Sequence, residues 1–256
     1  MTKRIFVIIA LTVLVASCAS REKMAYFQNI ASLNLSENGT NYNPKLQPDD
    51  LLTIIVSAQV AEAALPFNLS TISVNSGANE VASGQIKYQP YLIDSKGFIE
   101  FPVLGSIKIG GLSREDALKK ITTMLKKYIT DPIVNLRILN FKISVMGEVT
   151  KPGTYTVQSE RITLPEALSL AGDMTIYGKR NNVLLIREID GKRTSNYLDL
   201  TKADFLNSEF YYLSQNDLIV IETNKTKMNS SAVGPNTTVI VSALSLLITV
   251  IALLKK

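Results

Sequence analysis

The stretch YLIDSKGFIEFPVLG, residues 91–105, decides how the first half of the chain is read. Tyr91 to Asp94 and Phe98 to Phe101 are short β-prone runs separated by Ser95-Lys96-Gly97, which is the pattern of a hairpin. Pro102-Val103-Leu104-Gly105 leads on to Ile107-Lys108-Ile109 and then Gly110-Gly111. Past Ser113, a residue type that caps helices, the period changes from two to 3.6. Ala117, Leu118, Ile121, Met124, Leu125, Tyr128 and Ile129 share one helical face. Asp131-Pro132 stops that helix, and Ile133 to Leu139 alternates as a strand. Upstream, Leu51 to Val56 reads as a strand after a Pro48-Asp49-Asp50 turn, whereas residues 59–89, polar and small with Pro66 and Gly84, read as a long loop. Residues 46–140 therefore form a small α+β unit with one helix on a short sheet.

A second unit runs over residues 141–223. Lys142 to Met146 is a strand, and the segment from Gly147 to Tyr155 turns into the next one. Thr163-Leu164-Pro165-Glu166 matches a capping box, opening a short helix to Ala171, and Gly172 ends it where a positive φ is often needed. Val183 to Ile189, an Asp190-Gly191 turn and Thr194 to Leu200 form a hairpin, with Leu218 to Ile221 as the closing strand. The glycines at 110–111, 147 and 153 have neither the GxxxxGK[ST] spacing nor the strand–glycine–helix context of a nucleotide loop, and turn geometry explains them.

The two ends speak of membranes. Residues 1–17 have a basic start (Lys3, Arg4), an apolar run from Ile5 to Val15 and small residues after it, the order of a secretory signal. Val15-Ala16-Ser17-Cys18 looks like a lipobox, and Cys18 is the single cysteine of the 256 residues, which makes it the expected lipid attachment point. Residues 18–45 are polar and read as a tether. At the other end, after a 224–236 linker, residues 237–254 are expected to be a transmembrane helix. The 16 residues from Val239 to Leu254 carry no charge and span about 24 Å, which suits a thin outer membrane. Thr238, Ser242, Ser245 and Thr249 fall on one stripe of that helix. Small and hydroxylated residues so placed allow close helix association or line a shared lumen; the bland alternative is that each hydroxyl bonds its own backbone.

Composition excludes several chemistries. There is no histidine and no tryptophan. A lone cysteine used for lipid leaves no thiol for metal, nucleophile or disulfide. Removing residues 1–17 takes two basic residues and no acid, so the net charge falls from +5 to +3, too mild an excess for nucleic acid. No carboxylate pair stands isolated in a motif. The chain reads as a non-enzyme with no cofactor and no metal site.

Residues 92–105, Gly111-Leu112-Ser113 and the helix ending at Tyr128-Ile129-Thr130-Asp131-Pro132 resemble the export domain of the outer-membrane polysaccharide export lipoproteins. Val145-Met146-Gly147-Glu148-Val149, Lys151-Pro152-Gly153-Thr154-Tyr155 and Ala171-Gly172 resemble the β-grasp domain, of a soluble-ligand-binding type, that follows it. The chain departs from the pattern at Asp49-Asp50, where Gly-Asp is usual, and has room for one β-grasp domain rather than several. The resemblance implies a homo-oligomeric periplasmic ring that conducts a polysaccharide polymer, docked to the lipid bilayer and meeting an inner-membrane polysaccharide co-polymerase. The uniformly apolar C-terminal stretch leaves a place for a partner β-barrel at the outer membrane. Two other classes compete: a monomeric periplasmic ligand-binding lipoprotein, and a glycan-acting enzyme working through Asp94, Glu100 and Glu148. Cys18→Ser is expected to leave the precursor without lipid, read by intact-mass spectrometry; normal acylation of that variant would remove the lipobox reading.

Overall fold

The computed structural model describes residues 24–33, 44–75, 83–189, 191–232, 239, 242–243, 245–247 and 249–250. The first unit is built on β1 (Leu51–Ser57), whose Leu52, Ile54 and Val56 alternate inward. It is followed by a helical turn, α1 (Ala61–Ala64), and a two-stranded ribbon of β2 (Ser70–Asn75) and β3 (Ser83–Tyr88). Next come β4 (Tyr91–Leu92), β5 (Phe98–Phe101), β6 (Gly105–Lys108), α2 (Arg114–Leu125) and β7 (Ile133–Ile138). β1 lies between β4 and β7, antiparallel to both, while β5 and β6 make a separate hairpin. Ala117, Ile121 and Leu125 on α2 close one core with Ile93, Ile99, Ile107 and Leu136. Each such buried aliphatic contributes about 1.5–3 kcal/mol relative to exposure. Ser113 caps α2, its Oγ accepting from the Asp116 N–H at 3.1 Å.

Two local expectations shift. The turn at Asp94–Gly97 forms, with Asp94 Oδ1 accepting the N–H groups of Lys96 and Phe98, both at 2.8 Å. The strands leaving it take different partners, however: β4 joins β1 and β5 pairs with β6. The described residues of the 59–89 stretch form a helical turn and a ribbon rather than a loop. Asn68 organises their start: buried, it accepts from the Val56 N–H and donates to the carbonyls of Val56 and Ala64, so one amide side chain continues the edge of β1. Apolar periodicity carries no trace of such a bond.

The second unit is a five-stranded mixed sheet in the order β11-β10-β12-β8-β9. Its strands are β8 (Lys142–Gly147), β9 (Gly153–Thr156), β10 (Gly178–Ile189), β11 (Lys192–Leu198) and β12 (Leu218–Thr223), with α3 (Leu164–Leu170) packed on it. The capping box forms reciprocally: Thr163 Oγ1 accepts from the Glu166 N–H and Glu166 Oε2 accepts from the Thr163 N–H. The expected closing strand is central instead, β12 running parallel to β8 and antiparallel to β10. Arg187 pins it there, its Nε and Nη2 reaching the two oxygens of the fully buried Asp217 at 2.9 and 2.6 Å.

Chain ends expected to be loose are partly structured. Residues 26–29 lie on the second unit, and residues 225–232 form α4 (Lys225–Ala232) where a linker was expected. In the expected membrane segment the described residues are helical, yet among the described residues no helix is long and apolar enough to cross a membrane. Cys18 and Thr238 lie outside the described residues.

The junction of the units is tied by side chains. Asn140 accepts from the Leu51 N–H and donates to the Asp49 carbonyl, while Gln215 binds the Asn140 carbonyl and the Lys142 N–H. Asp49, where the resemblance expects glycine, takes a left-handed φ of +69°. Asp50 beside it is buried, with Oδ2 accepting the Gln47 N–H and Oδ1 without a partner among the described residues. Burial lifts its carboxyl from 3.8 to about 6; the Asp49 charge adds to the rise and the Gln47 bond opposes it. The native chain therefore holds a proton that the unfolded chain loses between about pH 4 and 6, so this group's contribution to stability falls as pH rises through that window. Asp50→Asn is expected to gain on the wild type by roughly 2–3 kcal/mol between pH 4 and 7 in urea unfolding. Parallel pH profiles would show that the carboxyl is not raised.

Candidate functional site

Two neighbouring loops of the second unit, residues 147–153 and 171–178, hold both segments of the chain that lead toward its apolar ends. Their mutual support comes from main chain. The Thr150 N–H donates to the Asp173 carbonyl at 3.0 Å, Lys151 N–H to Ala171 at 2.8 Å and Thr175 N–H to Glu148 at 3.2 Å. Gly147, at φ +91°, opens the first loop, and Gly172, at φ +72°, opens the second.

Glu148 is the C-terminal latch. Only 6% exposed, it accepts from Thr175 Oγ1 through Oε1 and from Lys227 Nζ through Oε2, both at 2.6 Å. Lys227 is on α4 and also lies 5.8 Å from the Tyr177 ring centroid. Asn224 begins that helix, its Oδ1 accepting the Lys227 N–H and its own N–H donating to the Tyr177 carbonyl at 2.7 Å. The Lys227 bond, then the Thr175 bond, hold the Glu148 carboxyl below its ordinary range against the effect of burial. The ion pair therefore persists through the usual carboxylate range and opens as pH falls below it.

The N-terminal latch is Tyr26. Its hydroxyl donates to Asp173 Oδ1 at 2.5 Å, and the Arg180 guanidinium sits 5.0 Å from its ring centroid. Arg180 is itself buried and donates to the carbonyls of Met174, Thr175 and Gly178. Burial, then the Asp173 bond, push the Tyr26 phenol above its ordinary range. The next residues continue the attachment: Phe27 and Gln28 N–H groups donate to the Leu200 and Thr201 carbonyls, and Asn29 Oδ1 accepts the Ala203 N–H at 2.6 Å.

Of the site residues expected from sequence, Ser242, Ser245 and Thr249 are on helix and are exposed in the single chain. Ser245 Oγ donates to the Ser242 carbonyl at 2.8 Å and Thr249 Oγ1 to the Ser245 carbonyl at 2.7 Å, so these hydroxyls are spent on their own backbone. The three carboxylates of the enzyme reading are engaged differently. Asp94 ties an exposed turn, Glu100 is exposed on β5, and Glu148 is the latch just described. Among the described residues no three His, Cys, Asp or Glu side chains come together as a metal site. Sequence reasoning missed Tyr26 and Lys227, since each meets its partner across about 80 residues or more. The only trace of either in sequence is that both stand just inside an apolar end segment.

Residues 38–139 match the family described as polysaccharide biosynthesis/export protein, and residues 141–233 match the SLBB domain family. The chain is 30% identical over 154 residues to the EPS I polysaccharide export outer membrane protein EpsA of Ralstonia solanacearum; the match takes in 58% of this chain and 39% of that protein. It is 31% identical over 144 residues to the protein of the same name from Ralstonia nicotianae, covering 54% of this chain and 37% of the relative. The chain thus spans well under half the length of these curated relatives.

Lys227→Ala leaves the Glu148 carboxylate buried with one hydroxyl donor. The expected cost is roughly 1–3 kcal/mol, read as a lower urea midpoint together with faster proteolytic cutting within residues 224–232. A Glu148→Gln, Lys227→Ala double variant should recover part of that loss. If the single variant were cut no faster than wild type, the latch would not be what holds α4.

Proposed function

Because the chain belongs to the polysaccharide export family, we propose that it is an outer-membrane lipoprotein whose copies assemble into a periplasmic ring or channel for capsular or extracellular polysaccharide. The observation that carries this reading is the order of the two family matches, an export domain followed directly by an SLBB domain, across residues 38–233. The relatives are named as polysaccharide export proteins of the outer membrane, which supports the same placement here.

Anchoring is assigned to lipid at Cys18 and to a transmembrane helix over 237–254. The latches support that assignment, since both ends leave from one pair of loops on the second unit. Tyr26 stands eight steps along the chain from Cys18, a reach of at most about 29 Å, which keeps the second unit close to the bilayer. Thr238, Ser242, Ser245 and Thr249 are assigned to a helix-association or lumen face. With the Ser245 and Thr249 hydroxyls bonded to their own backbone, the stripe works by its small size, letting helices approach closely, rather than by bonds between helices.

The ring would be met from the inner membrane by a polysaccharide co-polymerase and capped, where its own helices leave no pore, by an outer-membrane β-barrel. The reading is of a transport component that makes no covalent change in its cargo and draws on no cofactor. A conduit for a hydrated polymer needs many weak contacts rather than one tight site, and the chain has no tryptophan, the side chain with the broadest face for stacking sugar rings.

Light scattering of the detergent-extracted protein, with the detergent contribution subtracted, tests the ring. A discrete multiple of the 28.1 kDa chain mass, well above a dimer and reduced for the processed chain, is the expected result. A monomer, also seen after crosslinking in intact membranes, would overturn the conduit in favour of a monomeric periplasmic ligand-binding lipoprotein.

A further inference from the structure

A cleft of about 1000 Å³ opens between the two units. One wall comes from the segment before β1, the Asp94–Gly97 turn and the end of β6; the other comes from the β10–β11 hairpin and the turn before β12. Lys45, Lys96, Lys108 and Arg193 line it, against Asp49 and Glu188. Arg193 and Glu188 neutralise each other, Nε to Oε2 at 2.8 Å. Among the described lining residues that leaves three lysines facing one aspartate. Asp94, two residues from Lys96, accepts two main-chain N–H groups through Oδ1 and remains a carboxylate, so it offsets part of the Lys96 charge. Lys120 adds charge at the rim, its Nζ donating to the Lys108 carbonyl at 2.8 Å. Lys45, Lys96 and Lys108 are all exposed, and Lys108 Nζ lies 5.8 Å from the Phe98 ring centroid.

The rest of the wall is aliphatic side chains, glycines and three neutral polar residues, Gln47, Ser95 and Asn216. Gly97, Gly110, Gly111 and Gly191 contribute backbone, and Gly97 and Gly110 touch so closely that a Cβ on Gly110 would fall 2.6 Å from the Gly97 Cα. None of the described lining residues is aromatic. A neutral sugar would find no ring to stack on and few fixed hydrogen-bonding side chains. A carboxylate-bearing sugar would find a positive field, concentrated because a cleft with low-dielectric walls focuses it.

The geometry points to this cleft as a contact site for an acidic stretch of polysaccharide, one carrying uronate or other carboxylate groups along the polymer. The inference rests on the export reading and gives its cargo a charge class. Three exposed lysines on flexible stems give weak, salt-screened contacts. Weak contacts of this kind hold a polymer near the wall without stopping its passage.

The test uses the full-length protein in detergent with oligogalacturonates as the acidic probe and malto-oligosaccharides of equal length as the neutral one, by isothermal titration calorimetry. At low salt the acidic oligomer is expected to bind about tenfold more tightly than the neutral one, and to lose that preference as salt approaches physiological strength. Lys45→Gln/Lys96→Gln/Lys108→Gln, which replaces only exposed side chains, should abolish the preference with unfolding unchanged. Asp49→Asn, which tolerates the same positive φ, should strengthen it. Equal binding of the two probes would overturn the inference, as would a triple variant that still prefers the acid. A triple variant that alters the mass of the complex while leaving glycan binding intact would also overturn it, assigning the cleft to an acidic surface of a second copy. Because assembly is read separately by light scattering, the absence of any acid preference in an intact wild-type ring counts against the cleft alone, and a monomer counts against the ring.

Discussion

A Cβ on Gly147 would sit 2.1 Å from the Ile221 carbonyl oxygen, and the residue holds φ at +91°. No other residue type satisfies both conditions. This close approach lets β8 end against β12 while the chain turns sharply, so that the Glu148 N–H meets the same Ile221 carbonyl at 2.9 Å and its side chain turns inward. From there the dependencies run outward. Glu148 is reached by Lys227, its carbonyl is reached by Thr175, and the second loop that this creates presents Asp173 to Tyr26. Substituting Gly147 would therefore disturb more than a turn: it would move the carboxylate that holds α4 and the loop that holds the N-terminal strap.

The two latches differ in kind. Glu148 and Lys227 are joined by a charge-assisted bond, with a lysine still partly open to water, which lowers the desolvation cost on one side. Tyr26 is held by a neutral hydroxyl on a carboxylate and by a buried guanidinium against its ring, contacts that salt screens less. Ionic strength should thus loosen the C-terminal attachment before the N-terminal one. Attachments of two chemistries to one loop pair keep the second unit oriented under conditions that weaken either.

What the sequence disclosed follows from which forces are local. The Ser113 cap, the Thr163–Glu166 capping box and the β10–β11 hairpin depend on residues a few positions apart and form where expected, whereas the α2 stripe holds only to Leu125, with Tyr128 past the helix and exposed. Pairings that depend on distant partners were misread. The run at 98–101 looked like the return strand of 91–94 because the turn between them is sound, but β1 and β6 compete for those edges and win. Residues 59–89 looked featureless because Asn68, not an apolar repeat, orders their start. Tyr26 and Lys227 were invisible for the same reason: their partners lie 147 and 79 positions away.

The departure at Asp49-Asp50 is where sequence and structure inform each other most. Residue 49, where the resemblance expects glycine, is left-handed here, and aspartate is among the few side chains that accept that conformation, because it can bond its own neighbourhood. Its carbonyl then serves as the acceptor for Asn140, so the residue that strains the turn also fixes the junction to the second unit. The carboxylate it brings, together with burial, helps lift Asp50. It is also the acid that opposes the three lysines of the cleft. The side chain at residue 49 thus tempers the field of the cleft and adds to the effect of burial on Asp50, while its carbonyl joins the bonds that tie the junction. Returning the position to glycine would relieve the strain while leaving Asn140 its acceptor, which separates the backbone role of residue 49 from the role of its charge.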